Sequence, residues 1–142
     1  MKIYIGKADL QEQGFKCITE PGILEYLVDD SEATEIVFDN VLRSNYLKDV
    51  DRLLELATKK LRMSGFITIV DIDFELLQFA YEKQGNIVEV NNTIIGNGMA
   101  IRSFLTNDLI LDIAKSKNLI VEFNNTKNIE FLVKLRRNNN AV

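Results

Sequence analysis

Apolar positions fall into two rhythms along this chain, and the clearest stretch runs from Glu35 to Glu75. Glu35–Leu42 is a short apolar run with β-branched residues, in which Asp39 and Asn40 mark the close. Around Lys48–Arg62, residues Leu47, Val50, Leu53, Leu54, Ala57 and Leu61 follow the i, i+3, i+4, i+7 spacing of one helical face. Asp49, Asp51 and Arg52 fall on the opposite face. Ser64-Gly65 reads as the helix stop, because glycine adopts the left-handed conformation beyond a helix C-terminus without strain. Phe66–Val70 is a continuous apolar run, ended by Asp71 and Asp73. Strand, amphipathic helix and buried strand predict a right-handed βαβ unit, with Glu35–Leu42 and Phe66–Ile72 adjacent and parallel in the sheet centre.

The flanks are shorter and more broken. Lys2–Gly6 carries Ile3, Tyr4 and Ile5 and reads as a buried strand; Phe15–Thr19 reads as a second. The polar link Lys7–Gly14 is shorter than the dozen or so residues of an ordinary helical crossover. The two strands therefore form either a hairpin or a pair joined by a crossover reduced to one turn. Glu20-Pro21-Gly22 is a turn signal, Ile23–Val28 a short apolar stretch and Asp29–Glu32 an acidic loop. Phe74–Lys83 predicts a helix capped by Asp73, burying Leu76, Leu77, Ala80 and Tyr81 and ended by Gly85. Asn86–Phe104 is the least regular part, with room for a hairpin at its Asn and Gly turn residues. Thr106 reads as the cap of a helix over Leu109–Lys117. Leu119–Phe123 and Ile129–Leu135 read as a hairpin around Asn124–Asn128, and Asn138–Val142 as a frayed tail.

Composition narrows the chemistry. The 142 residues are 46% hydrophobic and 27% charged, as expected of one globular domain spanning residues 1–142. The absence of histidine and the single cysteine, Cys17, exclude Ser–His and Cys–His nucleophile pairs and an internal disulfide. They also argue against a zinc or iron site, so no metal is expected. A reducing, cytoplasmic setting fits the cysteine count. A net charge of −4 disfavours bulk nucleic-acid binding. No apolar run has the ~18 residues of a membrane span, and Met1–Gly6 reads as a strand rather than a leader.

The order of elements resembles the class I S-adenosylmethionine-dependent methyltransferases, and more narrowly the small methyltransferase-type proteins of bacterial and phage surface-sugar gene clusters. The likeness covers nearly the whole chain. It is clearest over Arg62–Asp73, where Ser64-Gly65 matches the family's glycine turn and Asp73 the aspartate that ends the following strand. Ile5-Gly6-Lys7-Ala8-Asp9 stands where the family has Gly-x-Gly-Asp, and Ser31–Leu42 resembles its acidic loop and fourth strand. Two departures stand out. Lys7-Ala8 replaces Cys-Gly, and Leu42-Arg43-Ser44 replaces Leu-Glu-His. The resemblance implies an α/β, Rossmann-like methyltransferase fold: a mostly parallel sheet, an antiparallel last strand and a reduced N-terminal half. It implies S-adenosylmethionine as cofactor and a small molecule or sugar as methyl acceptor. A homo-oligomer or a protein partner is compatible with it.

The residues that would carry such a function sit at strand ends, where ligands bind in open α/β sheets. Gly6 and Ala8 would line the first loop. Glu20 would accept from ribose hydroxyls or is a solvated turn residue. Asp30 would accept from the adenine amino group or is a surface charge. Asp39 and Asn40 would contact the cofactor. Asp39 and Asp71 are the only candidates for a catalytic base. Asp71 and Asp73 could meet a Mg²⁺ through water, although Asp73 is better explained as a cap. Lys134, Arg136 and Arg137 form a basic end that either meets phosphate or is a solvated strand end. Because Ala8 lacks the torsional freedom of glycine, a second reading is open: a degenerate fold that works as a binding or assembly module.

Overall fold

The computed structural model describes residues 1–84, 88, 91–92 and 101–138. Its frame is a six-stranded sheet in the order β2-β1-β3-β4-β6-β5. The strands are β1 (Lys2–Ile5), β2 (Phe15–Ile18), β3 (Ala33–Asp39), β4 (Leu61–Ile72), β5 (Leu119–Lys127) and β6 (Glu130–Arg137). Among the described residues the helices include α1 (Leu24–Leu27), α2 (Leu47–Lys60), α3 (Phe74–Gln84) and α4 (Asn107–Ser116). Strands β1 to β4 pair in parallel, and β6 runs antiparallel to both β4 and β5. This is the α/β sheet expected from the sequence, with β3 and β4 adjacent and central and α2 joining them.

The pairing of β1 with β2 is parallel, so the one-turn crossover is the correct alternative for the link after Gly6. The link holds a single 3-10 turn, Gln11–Gln13, where a helix would ordinarily lie. Its consequence is a sheet with two unlike faces. On one face Ile3, Ile5, Ile36, Phe38, Ile67, Ile69, Phe131, Val133 and Leu135 pack against Leu24, Val50, Leu54, Ala57, Ile110 and Ala114 of α1, α2 and α4. The other face carries Lys2, Tyr4, Glu35, Val37 and Asp39 in alternation with the core residues. There the link lies across β1, with Lys2 Nζ donating to Gln13 O at 3.2 Å and Ala8 N donating to the Tyr4 hydroxyl at 3.3 Å.

Element ends differ from the sequence reading in instructive ways. β3 stops at Asp39, three residues early, because Asn40 takes a left-handed φ of 57° and Leu42–Ser44 forms a 3-10 turn. α2 ends at Lys60, before Ser64-Gly65. Leu61 already pairs with Ala33, and Arg62–Gly65 form a bulge before Phe66 meets Glu35. Ser64 has the left-handed φ, 63°. Gly65 is needed for a different reason: a Cβ there would stand 2.9 Å from Arg62 O and 3.1 Å from Ala33 O. α3 buries Leu77, while Tyr81 is 43% exposed. α4 begins at Asn107, two residues earlier than predicted, with the Thr106 side chain accepting from Leu109 N at 3.1 Å. The Asn124–Asn128 segment is mostly strand. The hairpin closes through Asn128, whose φ of 57° suits a two-residue turn. The suggested hairpin within Asn86–Phe104, the Gly85 stop and most of the C-terminal tail lie outside the described residues. Among the described residues no helix is long and apolar enough to cross a membrane.

Leu54 is fully buried between α2 and the sheet. Leu54→Asp is expected to destabilise by at least about 3 kcal/mol, since it buries an unpaired charge. Urea denaturation followed by circular dichroism checks this; a midpoint close to that of the wild type would misplace the helix face.

Candidate functional site

The carboxyl ends of β1, β3 and β4 are joined by one chain of polar side chains. Tyr4, from β1, donates its hydroxyl to Asp39 Oδ2 at the end of β3 in a short hydrogen bond. Asp39 Oδ1 accepts from Asn40 Nδ2 at 2.7 Å, and Asn40 Oδ1 accepts from Arg43 Nη1 at 2.7 Å. Arg43 Nη1 is in turn 2.8 Å from Asp71 Oδ1 on β4. Asp39 and Asp71 lie on opposite faces of the sheet, so the chain passes around its edge through the left-handed Asn40.

Asp71 is fully buried and Arg43 is 4% exposed. Both Asp71 oxygens are engaged, by Arg43 Nη1, by Arg43 N at 3.3 Å and by Ile72 N at 2.8 Å. Burial pushes the carboxyl pKa above its ordinary value despite the guanidinium and backbone donors that pull it down. Asp71, expected from sequence as a base, is fully buried and braces the turn after β3 through Arg43. Arg43 O accepts from Arg102 N at 2.8 Å and from Ser103 N at 3.2 Å, which anchors the segment leading to α4.

The first loop is shaped by Tyr4. A Cβ on Gly6 would stand 2.6 Å from the Tyr4 hydroxyl and 2.8 Å from its ring, so Gly6 is required by the chain's own phenol. The same hydroxyl takes the Ala8 N–H. Burial, and then the Asp39 hydrogen bond, push the Tyr4 pKa up to about 12.

The predicted cofactor-binding residues separate into four places. Gly6 and Ala8 line an outer cleft of about 410 Å³ with Lys7, Asp9, Cys17 and Thr19. Glu20 lines a second crevice of about 300 Å³ with Thr19, Pro21, Val41, Ser44, Asn45 and Arg102. This crevice lies between the loops that leave β2 and β3, the two neighbours of β1. It adjoins the topological switch point of the sheet, between β1 and β3, where ligands of open α/β folds bind. Asp39 and Asn40 belong to the polar chain. Asp30 stands apart at the opposite, amino-terminal edge. There it pairs with Lys60 Nζ at 3.1 Å and Lys59 Nζ at 3.6 Å. These lysines, first through the Lys60 hydrogen bond, hold its pKa below the ordinary value. Ser31 N and Glu32 N donate to the Lys59 and Lys60 carbonyls, so the acidic loop caps the C-terminus of α2. Asp73 is the cap of α3, accepting from Leu76 N at 3.1 Å. The basic end is engaged internally: Lys134 lies over the Phe66 ring, Arg136 pairs with Glu122, and Arg137 donates to Leu61 O. Sequence reading missed Tyr4, Arg43 and Arg102. Arg43 carried a signal, because it stands where the family has an acid.

The fold has clear counterparts among solved structures. The chain superposes on a SAM-dependent methyltransferase from Thermotoga maritima with a TM-score of 0.60 at 12% identity, over 90% of this chain and 67% of that one. It matches a SAM-dependent methyltransferase from Methanosarcina mazei equally well, with a TM-score of 0.60, 12% identity and coverage of 93% and 68%. The fold is methyltransferase-like. A third counterpart, from Haloferax volcanii, was solved in complex with the Trm112 methyltransferase activator (TM-score 0.61, 9% identity, coverage 90% and 62%). The chain thus spans about two thirds of the length of these proteins. No family profile matches the sequence, and no curated protein matches it significantly.

Two measurements test the polar chain. Arg43→Met leaves Asp71 buried without its partner and is expected to cost about 3–5 kcal/mol in urea denaturation; Arg43→Met with Asp71→Leu recovers part of that loss. The second uses pH. Because the folded-state pKa of Tyr4 lies near 12, above the ordinary tyrosine value of ~10, the folded state holds the phenolic proton longer than the unfolded chain. The resulting stability is complete below about pH 10 and is lost as pH rises towards 12. Thermal melts of wild type and Tyr4→Phe should diverge in that window, with the wild type losing more.

Proposed function

We propose that this protein is a methyltransferase-fold domain that binds a small molecule or sugar at the carboxyl ends of its strands. Its S-adenosylmethionine site is remodelled, so that it works as a binding or assembly module. Tyr4 carries this reading. The phenol occupies the approach to Gly6 and takes the Ala8 N–H and an Asp39 oxygen. One loop donor, the Ala8 N–H, and one strand-end acceptor, Asp39 Oδ2, are thereby taken up within the chain, which weakens the fit of the cofactor to the loop in this arrangement. Each contact withheld costs about 1–3 kcal/mol, or roughly ten- to hundredfold in affinity. A protein partner fits an assembly role, and a second copy of the chain would serve equally.

A second reading is an S-adenosylmethionine-dependent methyltransferase acting on a small molecule or sugar. The observation that favours it is the switch-point crevice with Glu20 in its wall. Of the two candidate bases, only Asp39 is half-exposed; Asp71 is enclosed.

Calorimetry with S-adenosylmethionine and S-adenosylhomocysteine separates the two. The binding-module reading predicts no heat at micromolar ligand, and a gain of at least about tenfold in affinity for Tyr4→Ser, which reopens the loop. A low-micromolar dissociation constant for the wild type, weakened at least about tenfold by Glu20→Ala, overturns it and puts the enzyme first.

A further inference from the structure

The switch-point crevice contains an acid and a base that do not meet. Glu20 and Arg102 line the same space of about 300 Å³, a volume at the lower end of small-molecule sites. Neither the Glu20 carboxylate nor the Arg102 guanidinium forms a hydrogen bond or an ion pair among the described residues. The Arg43–Asp71 pair only a turn away shows what this chain does when it needs an internal ion pair. Arg102 is nevertheless held in place. Its backbone N–H donates to Arg43 O at 2.8 Å, and its guanidinium lies over the Tyr46 ring, 5.5 Å from the centroid.

The rest of the wall adds an acceptor. Asn45 spends its Nδ2 on Val41 O at 2.9 Å, which leaves its Oδ1 for a ligand. One cation beside a carboxylate and an amide oxygen is the inverse of a ligand with one anionic group and several hydroxyls. Guanidinium binds phosphate or carboxylate through paired N–H donors, and the carboxylate accepts from hydroxyls. In a chain of net charge −4, an anion is drawn to this spot by Arg102 and not by the protein's overall field.

We propose that the crevice binds a small polyhydroxylated anion, with its phosphate or carboxylate on Arg102 and a hydroxyl on Glu20. This rests on the reading of the crevice as the ligand site, and it does not depend on whether the cofactor binds.

The test is amide-resonance titration of the ¹⁵N-labelled full chain, following Thr19, Ser44 and Asn45, with glucose 6-phosphate, gluconate, glucose and inorganic phosphate. Glucose 6-phosphate or gluconate should saturate these shifts at lower concentration than glucose, and the better of the two identifies the anionic group. Arg102→Gln, an exposed substitution, should weaken that ligand by at least about tenfold and leave glucose unchanged. Glu20→Gln should weaken glucose and leave inorganic phosphate unchanged. Equal affinity of Arg102→Gln and wild type for the anionic probes overturns the proposal while leaving the crevice a ligand site. No response of these amides to any of the four probes overturns both.

Discussion

The buried pair of Arg43 and Asp71 holds the functional end of this sheet together. It ties the turn after β3 to β4, and through the carbonyl of Arg43 it fixes the segment that carries Arg102 and Ser103. A charge pair in that position is costly to desolvate, and it repays the cost only when its remaining donors and acceptors are also met. Here Asn40 and the backbone amides of Arg43 and Ile72 meet most of them. The pair therefore acts as a keystone: Arg43 reaches the left-handed Asn40, which in turn donates to Asp39, and holds the backbone of Arg102 and Ser103.

The sheet and its central βαβ unit were legible in the sequence because two-residue and 3.6-residue rhythms survive wherever one face is buried. Val50, Leu54 and Ala57 announce α2, and Ile67 and Ile69 announce β4. Legibility failed where tertiary pairing overrode local preference. The Asn124–Asn125–Thr126 stretch has poor strand propensity, yet its pairing with Val133, Leu132 and Phe131 draws it into β5. Ser64-Gly65 looks like a helix stop, but the helix had already ended where Leu61 joined Ala33.

The site was half legible for the same reason. Gly6, Glu20, Asp39 and Asn40 stand at or just after strand ends, which topology places at one edge. Asp30 was misplaced because an acidic loop that precedes a strand lies at the opposite edge, where it can cap α2. Tyr4 was hidden inside an apolar run. Its burial is indistinguishable in sequence from that of Ile3 and Ile5, and only the register shows that its hydroxyl reaches Asp39 and the first loop. Arg102 sits within the least periodic stretch of the chain, where no pattern points to a position.

Asp73 has a wider meaning. One of its oxygens accepts from Leu76 N at the start of α3, and the other accepts from Asn107 N at the start of α4, at 2.9 Å. The intervening chain therefore leaves and returns at a single carboxylate. Closure of such an excursion is already secured, and doubling its length adds only about 0.6 kcal/mol of loop entropy. Leu105 returns the chain to the core on the far side, with Phe74 N donating to its carbonyl at 2.8 Å, so both ends of the excursion are held beside the same strand end. Asp73 is in this sense a clasp: one carboxylate that fixes where the chain departs from the sheet and where it comes back.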